Sequence, residues 1–157
     1  MLLATGLLLF GCGSSADAGG VISRAQDGLA RIRGGVVSVH ATLKTPIPIK
    51  RDLKLRADQL PLAKLELTRW TSHARRLSCG EGLECARADL DVHAALRSLG
   101  PAVPELPVDP GAIHDARLEV ALGKRDRKPK FLRLSGNVDT GTLVGGVPFE
   151  VELDLPR

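Results

Sequence analysis

The side chains with latent chemistry are few and widely spaced. Cysteines stand at positions 12, 79 and 85, and histidines at 40, 73, 93 and 114. Cys79 and Cys85 flank Gly80-Glu81-Gly82-Leu83-Glu84, a short Gly-rich loop across which a disulfide can close a hairpin outside the cytosol. With His73 and His93 the same pair could offer sulfur and nitrogen to zinc, but the close cysteine spacing and second ligand pair of a structural zinc site are absent. Two free thiols are the third reading. Ser72-His73 and Asp89 supply the residue types of a nucleophilic triad, yet a triad is defined by geometry rather than by types. There is no His-Glu-x-x-His, Gly-x-Ser-x-Gly elbow, phosphate loop or dinucleotide fingerprint. The chain is therefore read as non-catalytic, with no metal and no other cofactor.

A second cluster is electrostatic. Lys124, Arg125, Arg127, Lys128 and Lys130 crowd around Asp126 and Pro129 between two predicted strands, so they form an exposed loop. Such a loop is drawn to anionic lipid headgroups, at about 1 kcal/mol per basic residue near the surface. Alternatively it is a solvated hairpin tip whose charge discourages edge pairing. Across the chain, 22 Lys and Arg against 18 Asp and Glu give a formal charge of +4, and 43% apolar with 25% charged residues is ordinary globular composition. Aromatic residues make up only 3%, with no Tyr, which leaves little to stack on bases. Nucleic acid is excluded as a partner.

The first residues read as an address. Leu2 to Phe10 is almost wholly apolar, the length of a secretory leader and too short to cross a hydrocarbon core of ~30 Å. Leu9-Phe10-Gly11-Cys12 follows directly, then Gly13-Ser14-Ser15 and the small, polar run to Gly20. This resembles the bacterial lipoprotein signal, in which an aliphatic residue three before a Cys and a small residue just before it direct lipidation and cleavage. The resemblance implies a signal peptide over residues 1–11, a palmitate-type acyl anchor on Cys12 and a flexible tether over 12–20. Acyl chains supply about 0.8 kcal/mol per buried methylene, so two or three hold a protein on a bilayer. The implied location is the bacterial cell envelope, on the periplasmic or extracytoplasmic face of a membrane. Gly13, rather than Asp, after the Cys leans toward the outer membrane where there is one.

The remaining chain, 21–157, reads as one domain of mainly β, α+β class. Ile22, Ala25, Leu29 and Ile32 recur at helical spacing, ended by Gly34-Gly35, and Gly28 inside that helix costs about 1 kcal/mol but permits close packing on a sheet. Period-two alternation then predicts about eight strands: Val37–Lys44, Asp52–Ala57, Ala63–Thr68, two short ones from about Arg75 to Ala88, Ala116–Leu122, Leu132–Val138 and Val147–Leu155. If the third strand stays regular, Trp70 points to its polar face; a bulge would instead bury it. Asp89 is the expected cap of a helix carrying Val92, Ala95, Leu96 and Leu99. Pro101, Pro104, Pro107 and Pro110 recur every third residue, as a stiff connector or a docking ligand. Tight turns imply an antiparallel, twisted, curved sheet with both helices on its apolar face.

An acylated Cys, an N-terminal amphipathic helix, a curved antiparallel sheet and the run Phe131-Leu132-Arg133-Leu134-Ser135-Gly136-Asn137-Val138-Asp139 before a last alternating strand resemble the half-barrel lipid carriers. These are the lipoprotein-localisation carriers and the mycobacterial lipoglycan-binding lipoproteins. The expected ligand is a lipid or another lipophilic molecule. Val37, Val39, Leu53, Leu55, Leu65, Leu67, Leu118, Val120 and Leu134 would line the apolar side, and Leu96 and Leu99 would cover it. The other reading is a dry core filled by the helices. The outer face would then meet an envelope protein through Lys54, Arg56, Glu150 and Glu152.

Overall fold

Strict alternation of apolar and polar residues becomes a single seven-stranded antiparallel sheet. The computed structural model describes residues 15–100, 109–141 and 146–157. Its elements are α1 (Ser15–Ala30), β1 (Val36–Leu43), β2 (Ile49–Arg56), α2 (Leu67–Trp70), β3 (Thr71–Leu77), β4 (Leu83–Leu90), α3 (Val92–Leu99), β5 (Ile113–Gly123), β6 (Pro129–Val138) and β7 (Val147–Asp154). The order across the sheet is β2-β1-β7-β6-β5-β4-β3. The last strand thus sits between β6 and the N-terminal hairpin, and it joins the two halves through both its edges. The sheet does not close, so β2 and β3 are its edges. The class is α+β, mainly β.

α1 crosses one end of this sheet. Asp17 pairs with Arg76 of β3 at 2.6 Å, Arg24 with Glu84 of β4 at 3.0 Å, and Gly28 lies against Pro129 of β6. At ~1.5 Å per residue its 16 residues are long enough to span those four strands. Its own Val21, Ile22, Ala25 and Leu29 are fully buried against the sheet. The helix begins earlier than its apolar spacing indicates. Residues 15–20, expected as tether, are helical, and Ala18 has 0% of its surface exposed. Small residues at Ala18, Gly19 and Gly20 are poor helix signals in isolation, but burial of Ala18 against the core overrides propensity.

Two further elements differ from expectation. Ala63–Thr68 is not a strand but a 3-10 turn at Leu62–Lys64 followed by the single turn α2, so seven strands form instead of about eight. Leu62, Leu67 and Trp70 are all buried, a spacing that alternation cannot satisfy. The cap of α3 is Asp91 rather than Asp89: its carboxylate accepts from the Ala94 amide at 2.9 Å, and Gly100 at φ 50° ends the helix. Pro110 opens a 3-10 turn, whereas Pro101, Pro104 and Pro107 lie outside the described residues, as do Cys12 and the apolar leader. Among the described residues no helix is long and apolar enough to cross a membrane.

The helix–sheet contact can be tested through two glycines. A Cβ on Gly28 would stand 2.5 Å from Pro129 Cδ, while one on Gly19 would meet nothing within 4 Å. Gly28→Ala should therefore destabilise by about 1–2 kcal/mol despite better helix propensity, and Gly19→Ala should stabilise by up to ~1 kcal/mol. Urea unfolding of both variants decides. Equal effects would mean that α1 does not approach β6 at Gly28.

Candidate functional site

The pleat sorts the sheet into two unlike faces. On the outer face, pairing register aligns Arg87, Glu119, Arg133, Glu152, His40 and Asp52 across six strands, from β4 to β2. Opposite charges directly opposed across strands attract. Arg87 reaches Glu119 at 3.0 Å, Arg133 reaches Glu119 at 3.1 Å and Glu152 at 2.5 Å, and the Arg133 guanidinium also stacks over Phe131. Glu119, only 7% exposed, is thereby held between two guanidiniums. Glu150, a half-buried residue expected to meet a partner, lies 3.8 Å from Arg133 and 3.9 Å from Lys44. Lys54 is exposed on β2, and Arg56 pairs with Asp58.

The inner face is apolar apart from Glu84, which Arg24 and Arg76 hold under α1, and the helices cover it unequally. α1 seals the end holding Val120, Leu122 and Ala86, all 0% exposed. Toward the other strand ends a cavity of about 370 Å³ remains. The sheet contributes Leu118, Leu132, Leu134, Phe149 and Leu153 to its wall, the segment before β3 contributes Leu65, Leu67 and Trp70, and Leu90, Val92, Ala95, Leu96, Leu99 and Ile113 complete it. Every lining residue among the described ones is apolar, and the indole N–H of Trp70 donates to Ser98 Oγ at 3.1 Å. The size lies within the ~300–1,000 Å³ range of small-molecule sites.

Of the expected lining, Leu65, Leu67, Leu96, Leu99, Leu118 and Leu134 do meet around this cavity. Val37 and Val120 instead belong to the closed core, both fully buried with the α1 residues. Val39, Leu53 and Leu55 share the apolar face but lie on β1 and β2, outside the cavity, with Leu53 55% exposed. The reason is coverage. The elements that wall the cavity stand over the β7–β4 half, away from the β1–β2 hairpin. Leu132, Phe149 and Leu153 also line the cavity without having been expected there, although they share parity with the inward positions of their strands. Trp70 could not be placed while its segment was read as a strand.

The remaining candidates resolve geometrically. Cys79 and Cys85 form a disulfide, with Cα atoms 6.1 Å apart, so neither is a zinc ligand or a free thiol. Ser72, His73 and Asp89 do come together, but Ser72 Oγ at 3.3 Å and Asp89 at 3.1 Å both address the same ring nitrogen, Nδ1. A triad needs the base to face its nucleophile with one nitrogen and its orienting carboxylate with the other. His73 sits at φ 51° on a bulge that turns it into solvent. No group of three or more potential metal ligands is found among the described residues. In the β5–β6 turn, Arg127 reaches Glu84 at 3.4 Å and Lys130 holds Asp126 at 2.5 Å. Lys124, Arg125 and Lys128 are exposed and carry no ion pair among the described residues. The chain matches no protein-family model and no curated protein sequence.

His40 gives the outer ladder a pH dependence. Its Nδ1 lies 2.7 Å from Asp52 and its Nε2 3.3 Å from Asp154, and the hydrogen bond to Asp52, with the charges of both carboxylates, raises its pKa above the ordinary 6.5. A raised folded-state pKa contributes stability that is fully present below 6.5 and is lost as pH rises through the folded value. NMR titration of the His40 ring should give a midpoint above 6.5. Relative to a His40→Gln variant, the native chain should lose stability as pH rises from 6.5 through the folded-state value. A His40 midpoint at or below 6.5 would remove those ion pairs from the solution structure.

Proposed function

We propose that the chain is a non-catalytic, acyl-anchored lipoprotein of the bacterial cell envelope that binds a lipophilic ligand, an alkyl or acyl chain, in the cavity between its sheet and α3. The observation that carries this reading is the cavity itself: about 370 Å³ whose lining among the described residues is entirely apolar. A wall without donors or acceptors offers nothing to orient a polar substrate, but it rewards each buried methylene by about 0.8 kcal/mol. Ten such groups would supply about 8 kcal/mol before the cost of ordering the chain. The Leu9-Phe10-Gly11-Cys12 run supports the anchor, and the order of helix, antiparallel sheet and closing strand supports the likeness to half-barrel lipid carriers. A protein partner on the outer face has less to hold, because Arg133, Glu119 and Glu152 already neutralise one another there.

A fluorescent fatty acid should bind the purified protein, and native mass spectrometry should recover a co-purified lipophile. Ala95→Phe places a ring in the cavity wall and should weaken uptake at least tenfold while far-UV circular dichroism stays unchanged. Uptake that survives this variant, or none in the native chain, would overturn the binding proposal. The anchor is tested separately: labelling with radioactive palmitate in a bacterial host should vanish in Cys12→Ala, and persistent labelling would place any acyl chain elsewhere.

A further inference from the structure

We propose that the strand end carrying the β5–β6 turn is a docking surface for a bilayer rich in anionic phospholipid. Arg31 and Arg33 follow α1 at this end, and Lys124, Arg125 and Lys128 project from the turn; all five are exposed. None of the five makes an ion pair among the described residues, in contrast to the paired charges of the outer ladder. The carboxylates nearby are Asp27, Glu81, Asp58 and Asp126, of which Asp126 is held by Lys130 and Asp58 by Arg56. The free charge is therefore positive. A cleft of about 390 Å³ lies between the last turn of α1 and the β5–β6 turn, lined by Arg31, Arg127, Lys128 and Arg157 and by one carboxylate, Asp126, which Lys130 holds. Its size and cationic lips suit a phosphodiester headgroup.

Chain geometry points the same way. Asp17, near the start of α1, is tied to Arg76 at the end of β3, and the following hairpin turn touches the basic turn where the Lys124 amide donates to Gly82 O at 2.9 Å. Position 12 lies three residues before Ser15, a reach of at most ~10 Å. An acyl group on Cys12 would thus hold this end, and not the α3 end with the apolar cavity, against the membrane. That orientation rests on the proposed anchor, but the charge argument does not.

Vesicle flotation of the full chain carrying Cys12→Ser removes any acyl contribution. Binding should be stronger to phosphatidylcholine vesicles containing phosphatidylglycerol than to phosphatidylcholine alone, and this difference should collapse at about 0.5 M salt. Lys124→Glu/Arg125→Glu/Lys128→Glu should reduce the anionic-vesicle component by roughly a hundredfold. Lys50→Glu/Arg51→Glu/Lys54→Glu, an equal charge change on exposed positions of the β2 edge, should retain most of it. Trp70 fluorescence monitors folding of each variant. Equal binding to both vesicle types, or loss with the β2 variant and retention with the turn variant, would overturn the proposal. Ala95→Phe should leave vesicle binding intact, which separates this surface from the lipophilic cavity.

Discussion

The two-residue pleat is the constraint on which the rest of the molecule depends. Because successive side chains point to opposite faces, one pattern of apolar and charged residues builds both an apolar inner face and a charge ladder outside it. Pairing between β7 and its two neighbours holds these faces in register: Val39 meets Leu153 and Leu132 meets the same Leu153 inside, while His40 and Arg133 both meet Glu152 outside. A one-residue slip of β7 would invert both sets together. Arg133 and His40 would then lose Glu152 from between them, and Phe149 and Leu153 would face water. The register is thus protected twice, by burial and by charge.

Helix coverage is the second determinant. α1 packs on the sheet through Val21, Ile22 and Leu29 together with the small Ala18 and Ala25, and at Gly28 it meets Pro129 without a side chain between them. Close approach there closes the core over Val120 and Leu122. α3 is half that length, and its Leu96 and Leu99 line the cavity together with Leu134 and Phe149. The same apolar face is therefore a packed interior at one end and a cavity wall at the other. The difference lies in the helices, because β6 and β7 run through both ends.

Local physics was readable in the residues, and long-range pairing was not. Val37 to Leu43 and Val147 to Leu155 alternate so strictly that their strands and inward positions followed directly, and the Cys79–Cys85 loop announced its own closure. Gly28 signalled a close approach although its partner, a hundred residues on, had no local mark. Ala63–Thr68 misled because three apolar residues alternate there by chance, whereas the buried set is Leu62, Leu67 and Trp70. The charge ladder was hidden for a different reason. Arg87, Glu119, Arg133, Glu152, His40 and Asp52 become neighbours only through the register of six strands, and the insertion of β7 between β6 and β1 has no local signature. Candidate cavity residues were half legible: parity identified the face, but only the placement of α3 and α2 decides which part of that face stays open.

The persistence of that open part has an energetic consequence. Sealed and empty, a void of about 370 Å³ would cost on the order of 9 kcal/mol at ~24 cal/mol per Å³, comparable with the whole stability of a small domain. Protein interiors do not sustain such losses when a single larger side chain would remove them, and Ala95 on the wall is a position where one could. An apolar cavity of this size is stable in isolation only if it communicates with its surroundings, so that solvent or a mobile apolar group relieves the vacancy. Water gains little there, since the wall gives it no hydrogen-bond partner. An alkyl chain gains the full transfer energy and restores the missing dispersion contacts. An apolar wall of this kind therefore favours a lipophile over a polar occupant, which is the physical basis of the proposed binding function.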